Sequence, residues 1–239
     1  MTAKDMALVT PLDPLADLTD TSCAYLRAIW VVGERNDGKV TTTSLADELG
    51  VAASTVSTAL RKLVDKDLVT HPRYGAIRLT HTGIDATIRI IRRLRLLETF
   101  LVRELGYGWH EVHDDADVLA LAASDRFIDR IDQRLGHPTR DPHGDPIPAA
   151  DGTLPRLTLT PLAECATGVV GTVARIDDSD PAMLEYFHNV GLTLDRRVTI
   201  GVTRPFAGTM SVVPEGSNTD VVLGDVAAQS IWITLAPNG

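Results

Sequence analysis

With 239 residues the chain is too long for one minimal domain and comfortable for two or three. Its 44% apolar and 5% aromatic content supports a buried core, and no run approaches the ~20 uninterrupted apolar residues that a membrane span needs, so no membrane partner is expected. A net charge of −9 excludes a general polyanion binder, and any contact with nucleic acid must come from basic residues gathered locally.

The leader MTAKDMALVTPLDPLADLTD carries acids and prolines where a signal peptide has basic and then apolar residues, so a cytoplasmic protein is expected. Thr21 to about Glu34 is predicted as a helix, because Tyr25, Leu26, Ile29, Trp30 and Val32 form a stripe near the 3.6-residue period. Cys23 and Cys165 stand alone, without the paired spacing of a zinc site or a disulfide framework. Asn36-Asp37-Gly38 is a turn signal. A short helix follows, N-capped by Thr43 or Ser44, with Leu45, Ala46 and Leu49 inward and Gly50 supplying the positive φ that ends it. The next helix begins near Ser54 and keeps Val56, Leu60, Leu63 and Val64 on one side. Leu68-Val69 and Ile77-Arg78-Leu79 are short strands around Arg73-Tyr74-Gly75. Helix, turn, helix and hairpin in this order make a winged helix–turn–helix.

A long helix is expected from about Thr82 to Leu105, a second from near Glu111, and a third over roughly Ser124 to Leu135. Pro138 to Pro155 reads as a linker, with Pro142, Gly144, Pro146, Pro148 and Gly152 too closely spaced for an element interior. Beyond it Gly171–Ile176, Val198–Val202, Met210–Val213, Val221–Leu223 and Ile231–Leu235 are strand-like, and Asp180 to Val190 is one short helix with Pro181 in its first turn. The fold class is therefore α+β: a winged-helix domain over 1–80, a helical dimerisation domain over 81–150 and a small β-rich domain over 151–239.

The second helix of such a module lays its first turns against base edges in the major groove. Those turns carry Ser54, Thr55, Ser57 and Thr58, then Arg61 and Lys62, while Lys39, Lys66, Arg73 and Arg78 flank the module. Hydroxyls serve base edges or phosphates, and Arg61, Lys62 and Arg73 suit phosphate oxygens. Double-stranded DNA is the expected partner, with shape readout weighing heavily because small hydroxyls make few bidentate contacts. The competing reading is a winged helix used only for protein contacts. The apolar stripe of the long helix makes a two-fold homodimer and a palindromic operator the natural arrangement.

Residues Leu45–Val69 (LADELGVAASTVSTALRKLVDKDLV), Arg92–Tyr107 (RRLRLLETFLVRELGY), Glu111–Leu119 (EVHDDADVL), Ser124–Arg126 and Arg140–Pro148 (RDPHGDPIP), with the IWITLA ending, resemble the diphtheria-toxin-repressor family of metalloregulators, the actinobacterial manganese-repressor branch above all. The resemblance runs from about Leu18 to Leu235 and implies a dimeric repressor with an SH3-like, FeoA-like C-terminal barrel, whose DNA-binding geometry is closed by Mn²⁺ or Fe²⁺. It also implies two metal sites. The positions of the primary site are Ala24, Asp117, Ala120 and Leu121, of which only Asp117 offers a donor. Those of the ancillary site are Leu94, Glu98, His113, Arg175 and Asp178, of which Glu98, His113 and Asp178 can coordinate.

Affinity for Mn²⁺ or Fe²⁺ collapses as oxygen and imidazole donors are removed. Two outcomes follow. Metal control through the primary site is lost, with Ala24, Leu94, Ala120 and Leu121 packing as core or lining an apolar pocket for a small organic effector. Alternatively Glu98, His113 and Asp178, with Asp117, keep a residual site and a working metal response. Asp117 needs a neutralising partner, and Arg93 or Arg95 is expected to supply it. His110, His113 and Asp117 form H-x-x-H-x-x-x-D, with His113 and Asp117 one helical turn apart, and His110 is expected to be solvated or capping. Pro142, Pro146 and Pro148 are expected to touch the barrel of their own chain. No nucleophile elbow or phosphate loop suggests an enzyme.

Overall fold

The computed structural model describes Leu15 and residues 18–36, 38–72, 75–217 and 219–235. Arg73, expected to hold a phosphate, and Tyr74 lie outside the described residues. The chain divides into two compact units, Met1–Ile91 and Arg92–Gly239.

In the first unit, α1 (Asp20–Arg35) starts at Thr19, whose side chain accepts from the Ser22 amide, and buries Tyr25, Leu26, Ile29 and Val32. The next helix, α2 (Thr42–Leu49), begins earlier than expected. Its cap is Thr41, because Thr41 Oγ1 accepts from the Ser44 amide while Ser44 Oγ accepts from the Thr41 amide, a reciprocal box that neither Thr43 nor Ser44 alone could close. Gly50 ends it at φ 62°. Helix α3 (Ala53–Asp65) buries Val56, Leu60 and Leu63, whereas Val64, predicted inward, sits at the edge of the stripe and is 43% exposed. Strands β1 (Val69–Thr70) and β2 (Arg78–Leu79) pair antiparallel as the stem of the wing.

Helix α4 (His81–Leu105) follows at once. Its start is tied to the wing stem: the Thr80 amide donates to the Leu68 carbonyl at 3.0 Å, and Thr80 Oγ1 donates to the Asp67 carbonyl at 2.6 Å while accepting from the Gly83 amide. A Cβ on Gly83 would stand 1.9 Å from the Leu68 carbonyl oxygen, so only glycine permits this contact.

In the second unit the later turns of α4 pack with α5 (His113–Ala122) and α6 (Asp125–Leu135) around Leu94, Leu97, Leu101, Ala116, Ile128 and Ile131. Ser124 caps α6 through the Phe127 amide and Gly136 closes it at φ 74°. The β-rich part holds β3 (Thr160–Pro161), β4 (Val170–Ile176), β5 (Arg197–Arg204), β6 (Thr209–Pro214), β7 (Val221–Gly224) and β8 (Ile231–Leu235). They form one antiparallel sheet in the order β3-β8-β4-β5-β6-β7. Helix α7 (Pro181–Asn189), capped by Asp180, buries Leu184 and Phe187 in its core, each worth roughly 1.5–3 kcal/mol. Helix α8 (Asp225–Gln229) and β3 had no clear sequence signal. The register of β4 against β8 slips between Val173 and Arg175, a bulge that re-aims this part of the strand.

Candidate metal centre and nucleic-acid face

On α3, Ser54, Thr55, Thr58, Arg61 and Lys62 are exposed and Ser57 is half-buried. Ser57 Oγ donates to the Ala53 carbonyl at 3.0 Å and Thr58 Oγ1 to the Ser54 carbonyl at 3.1 Å. Their hydrogens are thus occupied within the helix, and what these side chains offer outward is acceptor lone pairs. Arg61 Nε donates to the Ser57 carbonyl at 3.3 Å, which steadies an exposed guanidinium on the same face. Lys62 is exposed on α3 as well, while Arg73 lies outside the described residues.

The second unit holds a denser cluster, built by a segment that the sequence presents as a spacer. Asp141 Oδ1 accepts from the amides of His143 and Asp145, both at 2.9 Å, and the Asp141 amide donates to the Asp145 carbonyl. This tight turn lies on β4: the Ile176 amide donates to the His143 carbonyl at 2.8 Å. Gly144, at φ 93°, comes so close that a Cβ would stand 2.1 Å from the Ala174 carbonyl oxygen. Arg95 Nη1 donates to the Pro146 carbonyl and Arg92 Nη1 to that of Pro148, both at 2.7 Å. The contact expected of Pro142, Pro146 and Pro148 with the β-rich part is seen instead at His143 and Gly144 on β4, while the Pro146 and Pro148 carbonyls accept from α4.

The turn carries Asp141 and His143 to Glu98 of α4. Donor atoms of these three buried residues lie within 4.8 Å of one another. Glu98, His113 and Asp178 form a second such group, so the two share Glu98. Ligands ~2–2.5 Å from a hard divalent ion stand at most ~4–5 Å apart, and both groups meet that limit. Glu98 Oε1 is 3.1 Å from His113 Nδ1, and His143 Nδ1 is 4.0 Å from Asp178.

The His143 ring, with its side chain 1% exposed, is fixed by two contacts with Trp109. Its Nε2 is 2.7 Å from the Trp109 carbonyl, which can only accept, so Nε2 carries the proton. Trp109 also stacks on the ring at 5.8 Å between centroids. Nδ1 is buried and makes no hydrogen bond. A backbone carbonyl on the far nitrogen is the arrangement that orients metal-binding imidazoles. Burial, then Asp145, raises the Asp141 carboxyl to about 8. Burial pulls His143 down, but Asp141, Asp178 and Glu98 outweigh it and its pKa is raised.

The positions of the primary site are unlike this. Asp117 is half-buried, with Oδ2 3.6 Å from His113 Nε2. Arg93 reaches Asp125 at 2.6 Å, and Arg95 reaches Asp141 and Asp145 at 3.6 Å each. Leu94 and Ala120 are buried in the helical core, Leu121 is 43% exposed, and Ala24 is half-buried in the first unit. His110 is half-buried, with an Nδ1 that makes no hydrogen bond, rather than solvated or capping. Sequence reasoning missed Asp141 and His143. The available signal was the D-x-H-x-D spacing of Asp141, His143 and Asp145, three donors inside a supposed linker.

Known proteins share this plan. Residues 17–77 match the N-terminal DNA binding domain of the iron dependent repressors, residues 80–149 their metal binding and dimerisation domain, and residues 160–235 the FeoA domain. The chain is 28% identical over 214 residues to the iron-dependent repressor IdeR of Mycobacterium tuberculosis, covering 84% of this chain and 92% of that protein. It is 32% identical over 135 residues to the diphtheria toxin repressor of Corynebacterium efficiens, covering 56% and 58%. Among solved structures, a manganese-dependent transcriptional repressor in complex with manganese is 50% identical, with TM-score 0.85, covering 90% of this chain and 100% of that one. The manganese regulator SloR is 28% identical, with TM-score 0.77 over 92% and 100%. No described helix is long and apolar enough to cross a membrane. With winged helix, helical metal-binding domain and FeoA domain in this order, the chain belongs to the diphtheria-toxin-repressor family of metal-dependent, DNA-binding transcriptional repressors.

Proposed function

We propose that this protein is a homodimeric, cytoplasmic repressor whose DNA binding answers to Mn²⁺ or Fe²⁺ through a centre built on Glu98, Asp141 and His143, with Asp178 and His113 completing the shell. Control through the primary site is lost, since Ala24, Ala120 and Leu121 bring no donor and Asp117 is in neither group of donors that gather around Glu98. One observation carries the reading: the buried Nδ1 of His143, oriented by Trp109 and making no hydrogen bond, stands with the Glu98 and Asp141 carboxylates inside a single coordination radius. Charge supports it. Arg95 lies against Asp141 and Asp145, and Arg175 against Asp145, so with Glu98 and Asp178 the carboxyl groups outnumber the guanidinium groups, and a cation would take the place of the proton that the raised Asp141 carboxyl holds. Carboxylates with imidazole and no thiolate suit Mn²⁺ and Fe²⁺.

The winged-helix domain, 1–80, reads DNA with Ser54, Thr55, Ser57 and Thr58, while Arg61, Lys62 and Arg73 hold phosphates. The helical domain, 81–150, dimerises, and the two-fold sets a palindromic operator. The β-rich domain is 151–239. The test uses a duplex selected from a random library by the manganese-loaded protein. Anisotropy binding is then measured with Mn²⁺, with Fe²⁺ and with chelator, for the native protein and for His143→Ala. Tight binding that needs Mn²⁺ or Fe²⁺ and is lost in His143→Ala is expected. Binding indifferent to metal and chelator overturns the reading.

A further inference from the structure

The cation centre has a second carboxylate–guanidinium layer behind it. Asp145 is buried and is locked to Asp141 by the turn, its amide donating to Asp141 Oδ1 and its carbonyl accepting from the Asp141 amide. Yet Asp145 is in neither group of donors that gather around Glu98. Its carboxylate is engaged by guanidinium groups. Arg175 Nε stands 2.7 Å from Asp145 Oδ1, and Arg95 Nη2 stands 3.6 Å from the same oxygen. Arg175 is held in place by its own surroundings: it comes from the bulged stretch of β4, and its guanidinium carbon lies 4.7 Å above the centre of the Trp232 ring. The result is a stack of Trp232, Arg175, Asp145 and then the Asp141 turn, all within the second unit.

A structural strut needs the stack but not the charge. Electrostatics needs the charge. Asp141 and Glu98 are almost wholly buried, where charges act on one another through a low dielectric and are poorly screened by salt. A guanidinium one carboxylate removed from the ligand turn therefore opposes a divalent ion twice, by direct repulsion and by neutralising Asp145. We propose that Arg175 is an affinity-setting residue for the cation centre: it raises the concentration of Mn²⁺ or Fe²⁺ at which the site fills. Asp145 is its counterweight. This rests on the cation reading of Glu98, Asp141 and His143, and it predicts that the native centre is weaker than its own donors allow.

The experiment is Mn²⁺ titration of the full-length protein, by calorimetry and by the electron paramagnetic resonance of free Mn²⁺, at fixed pH and ionic strength. The native protein is compared with Arg175→Met, which keeps the stem against Trp232 and removes the charge, and with Arg175→Lys, which keeps the charge. Arg175→Gln repeats the neutral case should the methionine variant fold poorly, with thermal midpoints in chelator as the check. Both neutral variants are expected to bind Mn²⁺ at least about tenfold tighter, and the lysine variant to stay within about threefold of native. Asp145→Asn, which removes the carboxylate charge paired with Arg175, is expected to weaken Mn²⁺ by at least about tenfold, and Arg175→Met/Asp145→Asn to return toward native. Neutral variants that bind equally or more weakly while folded overturn the assignment and make Arg175 a strut. Native protein that takes up no Mn²⁺, or takes it up unchanged in His143→Ala, overturns the cation centre itself and this proposal with it.

Discussion

Two places in the helical domain invite comparison, because His113 faces carboxylates of both. At Asp117 one half-buried carboxylate meets one side of the imidazole at 3.6 Å, and the neighbouring positions are a buried alanine and an exposed leucine. At Glu98, the other ring nitrogen meets a carboxylate that is 1% exposed, with Asp141, His143 and Asp178 close behind. The first place is a partly exposed contact that water screens, and a contact of that kind is worth at most ~1 kcal/mol. The second concentrates negative charge where water cannot relieve it, and so has to be completed by cations. Donor types alone do not separate the two, since each has a carboxylate and an imidazole. Burial and the number of converging donors do.

Four substitutions tell the two places apart. The largest effect is expected from His143→Ala, which should cost about 100-fold in Mn²⁺ affinity by calorimetry; a loss confined to a few-fold would place the centre elsewhere. Gly144→Ala comes next. A methyl against the Ala174 carbonyl, at a φ of 93°, should cost roughly 2–4 kcal/mol in urea unfolding and loosen the turn that carries His143. An unchanged unfolding midpoint would mean that the turn is free to move off β4. Arg61→Ala acts downstream of either place. It should weaken binding to every duplex and lower the log–log salt slope by about one, with Mn²⁺ affinity untouched. The smallest effect belongs to Asp117→Asn, for which calorimetry should find less than about a threefold change in Mn²⁺ affinity. A tenfold loss there would return Asp117 to the ligand set and erase the contrast.

Much of the fold was legible because its signals are local. The inward stripe of α1, the glycine that ends α2 and the strand runs of the β-rich part all follow from period and turn chemistry. Errors came where one residue's role depends on a partner three positions away, as with the Thr41–Ser44 box, or where a residue lies on the edge of a stripe, as with Val64. Strand β3 and helix α8 are too short to carry a period. The candidate metal centre was half legible. Glu98, His113 and Asp178 were reached through the family resemblance, and the structure gathers their donor atoms as one group. Asp141 and His143 were not, because the prolines and glycine around them read as a spacer. Pro and Gly there do not loosen the chain; they let it turn tightly enough to lie on β4 with His143 held in place. Low helix and strand propensity in a segment reports irregularity and says nothing of rigidity.

The junction at Gly83 has a mechanical meaning. Where the first turn of α4 rests on the Leu68 carbonyl there is no side chain to act as a cushion, and Thr80 pins the same corner through three hydrogen bonds. A joint of that kind has no slack. A twist of the opening turns of α4 is passed to the stem of the wing as from a lever to its handle, with neither part able to lag behind the other.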